Sequence, residues 1–309
     1  MAELIESNKR PFSALTQNPI TIKELRSRMR GRRAFVILTV YLLAMSSLIA
    51  LVYLAYGESS TPYNSNAADA GKAVFTAVLA VQVFLVLFVG PASTAGAISG
   101  EKERQTFDLL RTTLLTPRTL VLGKLSSALS YVFLLIFASI PLQSIAFLLG
   151  GVSLSELLIS QLLILVAAVT FAMFGLYASS VMRTTLAASI LTFSASLFIT
   201  FFLPLIVLLL ASIIVPLFGS LSWISDAALQ AAGILLASTN LPATLILSDI
   251  ILLTENSLLF FPVSFGSHTI AGYNVWLISP WPLFLIFYTL LTFLLFWLCV
   301  RRIGRIADS

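Results

Sequence analysis

The sequence predicts an all-α integral membrane protein, and three observations support that prediction. Of the 309 residues, 59% are hydrophobic and 10% are charged, which is more apolar and less charged than an average soluble domain. The mean hydropathy is +1.01. Several stretches stay apolar over about the 20 residues that a helix needs to cross a bilayer core. Because these stretches lack the alternating pattern of barrel strands, we expect helices.

Six stretches qualify as membrane spans, and together they form one transmembrane domain over residues 1–309. The predicted spans are residues 34–56, 73–98, 125–149, 157–182, 186–217 and 275–300. A polar, basic segment of residues 1–33 precedes the first span without a cleavage signal, so we expect the first span to act as a signal anchor.

The basic residues predict the orientation of the spans. All lysines and arginines except Lys72 fall on the side of the two termini, at the edges of the apolar stretches. Because short cytoplasmic segments are enriched in Lys and Arg, both termini are predicted to be cytoplasmic, in a multi-pass protein of the cell (inner) membrane.

Residues 218–274 are predicted to be extracytoplasmic, although they are moderately apolar. An odd number of extra crossings would place Arg301 outside, so zero or two crossings are compatible with the charges. Polar residues and prolines interrupt the region. We therefore expect short helices, at Ile224–Ala237 and Ala243–Leu253, that lie at the outer surface or dip into it; two full crossings remain the alternative.

The chemistry that the predicted spans lack argues against an ion-driven carrier. The predicted spans contain no Asp, Glu, Lys, Arg or His, which disfavours a proton- or sodium-driven carrier. Broken helices near Pro141 or Pro204 could still bind sodium through carbonyl groups, so that class stays open. Span residues such as Gln82, Gln143 and Gln161 are interpreted as helix-packing residues.

Catalytic chemistry is not predicted either. The sequence lacks the glycine-rich phosphate loop of an ATPase, and His268 and Cys299 are its only histidine and cysteine. We predict no catalytic residue, no cofactor-binding residue, no metal ligand and no internal disulfide, and hence a protein that is not an enzyme. The basic residues are not interleaved with aromatic residues, so no nucleic-acid partner is expected.

An amphipathic segment precedes the first span. Its apolar residues share one face of a helix that Pro19 can begin and Gly31 can end. The apolar face is formed by Ile22, Leu25 and Met29, and Lys23, Arg26 and Arg30 lie elsewhere on the helix. The segment is predicted to lie along the inner membrane surface, as a specific structural element or simply as a topology anchor.

A charged segment over residues 100–117 follows the second span directly. Its apolar residues recur at helical spacing, at Phe107, Leu110 and Leu114. Its charged residues have both signs: Glu101, Glu103, Arg104, Asp108 and Arg111. We expect a rigid helix that Pro117 ends and that passes motion from a cytoplasmic protein partner into the membrane; an ordinary solvated helix is the alternative.

Together, the two segments resemble the permease subunits of ABC type-2 transporters. Before the first span the resemblance lies in Asn18, Pro19, Lys23, Glu24, Leu25 and Arg26. After the second span it lies in Glu101, Glu103, Thr106, Asp108, Leu109, Leu110, Pro117, Gly123 and Lys124. Six spans, cytoplasmic termini and an enlarged outer region before the last span are also similar to that family, and specifically to its type V exporters.

The resemblance implies an elbow helix, a coupling helix and a separate ATPase. The elbow residues would be Ile22, Lys23, Leu25, Arg26 and Met29. The ATPase-coupling residues would be Glu101, Glu103, Arg104, Thr106, Phe107, Asp108, Leu110, Arg111 and Leu114. The implied partners are a dimer of ABC ATPase subunits, which would hold ATP and Mg, and a second membrane subunit, identical or a paralogue.

The function that follows is a permease subunit of an ATP-driven exporter. The alternative is an ATPase-driven membrane scaffold or mechanotransmission subunit that acts on an extracytoplasmic partner without transport. The sequence assigns no substrate-binding residue.

Overall fold

A computed structural model describes residues 32–59, 67–106, 116–218, 223–255, 257–265 and 273–308. The predicted elbow residues, Ile22 to Met29, lie outside these ranges. Helices and strands are numbered in chain order. They are α1 (Arg32–Ser59), α2 (Ala67–Ala95), α3 (Ser99–Glu103), α4 (Pro117–Leu148), α5 (Leu154–Val181), α6 (Thr185–Leu197), α7 (Leu203–Phe218), α8 (Trp223–Ala237), α9 (Leu241–Glu255), β1 (Phe260–Phe265), β2 (Tyr273–Ile278) and α10 (Pro280–Asp308).

The all-α membrane architecture is confirmed. Within the described residues, six helical segments are long and apolar enough to cross a membrane. These segments are Phe35–Ala55, Ala67–Glu103, Pro117–Leu148, Leu154–Val181, Thr185–Ile214 and Pro280–Arg305. The second and third helices begin earlier than predicted, so Lys72 and Lys124 belong to them. The protein is therefore a multi-pass membrane protein.

The bundle packs around α5 and has two distinct ends. The aromatic and aliphatic core joins α2, α4, α5, α9 and α10, whereas α1, α6 and α7 expose most of their apolar side chains. Helix α2 carries Lys72 near its beginning and leads to Glu101 after its end. We call these the Lys72 end and the Glu101 end of the bundle.

Helices α8 and α9 form a helical hairpin whose tip lies beside the middle of the bundle. Pro204 has no backbone N–H, so the α-helical ladder is interrupted one turn earlier, at the π-helical turn Phe198–Phe202. The Asn240 side-chain amide donates to the freed carbonyl oxygens of Ile199 and Thr200, at 2.9 Å each. Each helix of the hairpin has 15 residues, about 22 Å, which is too short to cross a 30 Å bilayer core.

Short helices were predicted in this region, and the structure adds an antiparallel β-hairpin after them. Strand β1 pairs with β2 from Phe260 opposite Ile278 to Phe265 opposite Tyr273. The predicted last span, residues 275–300, therefore begins too early, because residues 275–278 belong to β2 and α10 begins at Pro280. The short apolar run of residues 275–278 does not by itself distinguish a strand from a helix. Ser279 precedes Pro280, and a residue before proline favours extended backbone.

Candidate functional site

Helix α3, at the Glu101 end, is held by the neighbouring helix α5. The Ser179 hydroxyl oxygen of α5 accepts hydrogen bonds from the backbone N–H groups of Ile98 and Ser99, both at 2.9 Å. These are two of the donors that a helix start leaves without an internal partner. The turn between α2 and α3 is thereby fixed to α5.

Glu101 connects α3 to α4. Its Oε1 accepts a hydrogen bond of 2.6 Å from the Lys124 ammonium, and Lys124 is only 5% exposed. Charge-assisted hydrogen bonds are stronger than neutral ones, and a buried ammonium needs such a partner. This ion pair therefore ties the start of α3 to the body of α4.

Lys102 connects α3 to the carboxyl end of α5. Its ammonium donates to the backbone oxygens of Ser180 and Met182, at 2.6 and 3.3 Å. The last carbonyl groups of a helix lack internal partners and carry a partial negative charge, so a lysine is favoured there.

Glu103 connects α3 to the amino end of α6. Its carboxylate accepts from the Thr185 backbone N–H and from the Thr185 hydroxyl, both at 2.9 Å. A carboxylate at this position matches the partial positive charge of a helix start. Three consecutive charged residues thus bind three different helices, and we call Glu101, Lys102, Glu103 and their partners the α3 junction.

The helix predicted over residues 100–117 is not continuous. Gln105 adopts a left-handed conformation with φ 55°, and the Thr106 N–H bonds back to the Glu101 carbonyl at 3.0 Å. This arrangement closes a helix end. The prediction of a single uninterrupted helix is therefore wrong at Gln105. Glutamine has no sequence signature for this conformation, which is usually adopted by glycine.

The predicted ATPase-coupling residues divide into two groups in the structure. The side chains of Glu101 and Glu103 face other helices of the same chain, while Arg104 and Thr106 are exposed. The remaining members lie outside the described residues: Phe107, Asp108, Leu110, Arg111 and Leu114. The structure adds Lys102, Lys124, Ser179 and Thr185, of which only Lys124 had a sequence signal, as part of the motif in the family resemblance.

An open pocket of about 450 Å³ lies beside the α3 junction. Its lining residues are Gly96, Ala97, Gly100, Glu101, Arg104, Thr106, Lys124 and Thr185. Charged groups of both signs and small residues suit contact with a protein surface. Among the described residues, no group of three or more His, Cys, Asp or Glu side chains could hold a metal ion.

A buried glutamine cluster joins α2, α4 and α5 in the interior of the bundle. The Gln82 Oε1 accepts from the Gln143 and Gln161 amides at 2.9 and 3.1 Å, and Gln161 also donates to Gln143 Oε1 at 2.7 Å. Gln82 donates in turn to the Ser139 hydroxyl. Mutual hydrogen bonding between the helices agrees with the packing interpretation of these residues.

Gln82→Leu is expected to lower the free energy of unfolding by about 1–3 kcal/mol, because it leaves the amides of Gln143 and Gln161 short of an acceptor in a buried place. Thermal unfolding of the purified chain in mild detergent measures the effect. Ser144→Leu on the exposed face of α4 is the control and should change the midpoint little. Equal midpoints for Gln82→Leu and the parent would show that the cluster does not stabilise the bundle.

A second ion cluster lies at the Lys72 end. The Lys72 ammonium donates to Glu156 Oε2 of α5 at 3.1 Å and to Asp249 Oδ1 of α9. Glu156 also completes a capping box with Ser153 at the start of α5. The sequence distribution singled out Lys72 as the basic residue opposite all the others, but it did not indicate these partners.

An apolar cavity of about 350 Å³ lies between α2, the π-helical turn and α9. Its walls include Phe75, Phe84, Phe201 and Leu245, and its polar lining is Thr76 and Asp249. Pockets of this size and polarity accept apolar ligands. Nothing in the sequence pattern indicated it, since its walls come from distant segments.

Comparison with known proteins identifies one family. Residues 18–266 match the family model described as ABC-2 family transporter protein. A search of curated proteins finds no match to the chain.

Proposed function

Because the chain belongs to the ABC-2 transporter family, as a permease subunit of an ABC transporter, we propose that it is a non-catalytic exporter subunit whose α3 junction receives the motion of a separate ATPase. The observation that carries this proposal is the attachment of three consecutive α3 residues to α4, α5 and α6. A displacement of α3 must move those helices or break charged hydrogen bonds. A rigid junction of this kind transmits force better than a solvated loop.

The proposal places the Glu101 end in the cytoplasm. Arg183, Arg301, Arg302 and Arg305 lie at this end with the α3 junction, and basic residues favour the cytoplasmic side. In this arrangement both termini are cytoplasmic and residues 218–274 approach the membrane from the outer side. The elbow residues from Ile22 to Met29 are proposed to lie along the inner surface before α1.

The proposed assembly has two membrane subunits and two ATPase subunits. ATP and Mg would bind to the ATPase subunits, because this chain lacks a phosphate-binding loop. The second membrane subunit would be a copy of this chain or a paralogue. The exposed pocket beside the junction and the charged residues Arg104, Asp108 and Arg111 are the proposed docking surface for the ATPase.

Two variants separate docking from transmission. The double reversal Asp108→Arg with Arg111→Glu changes the proposed docking surface, whereas Glu103→Gln weakens the tie between α3 and α6. We expect the double reversal to abolish co-purification of an ATPase with tagged chain in mild detergent. Glu103→Gln should retain the ATPase. It should reduce the effect of the chain on the ATP hydrolysis rate about three- to tenfold, because it weakens charged hydrogen bonds at an exposed site.

Arg305→Gln is the matched control, since it removes an exposed charge at the same end of the bundle and should leave both readouts unchanged. If no ATPase co-purifies with the unaltered chain in several detergents, the proposal is wrong and an ion-driven carrier becomes the leading alternative. If Glu103→Gln behaves like the parent, the junction does not transmit the motion.

A further inference from the structure

Lys72 brings together three helices that are distant in sequence. Its ammonium lies 3.1 Å from Glu156 of α5 and also contacts Asp249 of α9. The side chains of Lys72 and Asp249 are 23% and 27% exposed, and that of Glu156 is 5% exposed. The pair between Lys72 and Asp249 therefore reaches solvent, while Glu156 holds the lysine from the protein side.

The other end of α9 is attached by buried, uncharged contacts. Asn240 is 3% exposed, and besides binding the π-helical turn it accepts from the Ala243 N–H at 3.0 Å, which caps α9. The preceding Thr239 carbonyl accepts from the Tyr288 hydroxyl of α10 at 3.0 Å. Asp249 follows Asn240 by nine positions, about 13 Å along the helix. Helix α9 is thus held at two separated points of different chemical character.

Between those two points, α9 adjoins two cavities, of which the larger is open to the outside of the bundle. The apolar cavity of about 350 Å³ separates it from α2. A small cavity of about 20 Å³ lies between α9 and α5 and is lined by Glu156, Ser160, Ser248 and Asp249, among others. The Ser248 hydroxyl is buried and has no hydrogen-bond partner among the described residues, and the cavity has room for one water molecule. At the Lys72 end, α9 is therefore held by the burial of Ser248 and Ile251 together with the ion cluster, and the ion cluster is the charged part of that attachment.

We propose that the Lys72 ion cluster is a latch that holds α9 against α2 and α5, and that α9 swings about its Asn240 tip when the latch opens. Opening would admit water to the interface with α5 and would widen the cavity between α2 and α9. An ion pair that reaches solvent exchanges partners with water at small cost, whereas the buried amide contacts at the tip do not. The latch is a property of this chain alone and does not depend on the ATPase assignment.

A buried thiol on α9 reports the opening. Ser248→Cys is nearly isosteric, and in a Cys299→Ser background it places the only cysteine of the chain at the α9 interface. A buried thiol reacts slowly, so its labelling rate with a charged, water-soluble maleimide measures how often α9 opens. Ser127→Cys is the matched control reporter, because Ser127 is equally buried on α4 and also has no hydrogen-bond partner among the described residues.

Neutralising the latch should accelerate labelling at position 248 only. Lys72→Gln and Asp249→Asn are each expected to raise the labelling rate of the Ser248→Cys reporter about tenfold, while that of the Ser127→Cys reporter stays constant. Glu255→Gln is the control, since it removes an exposed carboxylate of α9 that is not part of the Lys72 ion cluster. It should change neither rate more than about twofold.

A charge exchange completes the test. Lys72→Asp combined with Asp249→Lys keeps one ammonium and two carboxylates in the cluster, and it should return the labelling rate towards that of the parent. The latch is refuted if the neutral variants label at the parent rate, or if both reporters accelerate together, since that would mean a general loosening of the bundle. Slow labelling in the parent and fast labelling in both neutral variants would establish the latch, even if the double variant Lys72→Asp with Asp249→Lys did not fold.

Discussion

Glu101→Gln is expected to be among the most destabilising substitutions in the chain. It removes the carboxylate that accepts from Lys124 at 2.6 Å, and Lys124 is 5% exposed in α4. Leaving a buried ammonium without this negative partner costs more than the pair itself contributes. Because Glu101 is 27% exposed, we expect a loss of about 2–3 kcal/mol in the free energy of unfolding rather than the larger cost of a fully buried pair.

Thermal unfolding of the purified chain in detergent provides the measurement, and a double-mutant cycle isolates the pair. Lys124→Met removes the ammonium, and the double variant removes both charges while keeping similar volumes. The double variant should be less destabilised than the sum of the single variants, because the cost of separating the Lys124 ammonium from the Glu101 carboxylate is counted in both single variants. Additive losses would mean that Glu101 and Lys124 do not stabilise each other.

Gly151→Ala is expected to have a comparably large effect at the opposite end of the bundle. Gly151 lies in the turn between α4 and α5, where its backbone touches the start of α2. A Cβ atom at this position would lie 2.1 Å from the Ala68 carbonyl oxygen and 2.4 Å from the backbone nitrogen of Lys72. Both neighbours are backbone atoms of a helix and cannot move aside locally. We expect a loss of about 3 kcal/mol or more and a reduced yield of folded chain.

Gly233→Ala in α8 is the matched control for this prediction. A Cβ atom there meets nothing within 4 Å, so the substitution should be neutral or slightly stabilising through the higher helix propensity of alanine. The two variants can be compared by fluorescence-detected size-exclusion chromatography after heating. Similar melting of Gly151→Ala and Gly233→Ala would show that the turn relaxes away from α2.

Helix α2 connects the Lys72 ion cluster with the α3 junction. It begins at the latch, where Lys72 binds Asp249, and it leads through a fixed turn into the α3 junction. Gly175 of α5 allows close contact along the way, since a Cβ atom there would lie 2.3 Å from the Thr94 hydroxyl of α2. The closely packed pair of α2 and α5 therefore connects the α3 junction with the Lys72 ion cluster.

The sequence by itself determined the class of the protein and the number of its spans. Uninterrupted apolar length and scarce charge are solvation properties, and each span satisfies its own backbone hydrogen bonds, so six crossings follow without knowledge of neighbours. The motif around residues 100–124 likewise indicated the ABC-2 family, which the match over residues 18–266 supports. The charge distribution predicts the orientation, and the elbow helix remains a prediction.

Only the tertiary structure decided which polar groups meet. The partners of Lys72 lie 84 and 177 positions away from it in the sequence, and those of Gln82 lie 61 and 79 positions away. No local pattern encodes such partners. The same holds for Asn240, whose acceptors are exposed by Pro204 in another helix, and no local pattern indicated the left-handed conformation of Gln105 that ends α3. Burial of a charged or amide group costs free energy unless the group has a partner. The partner is supplied by the packing of distant segments, whereas the apolar surface that directs those segments into the membrane is a property of each segment alone.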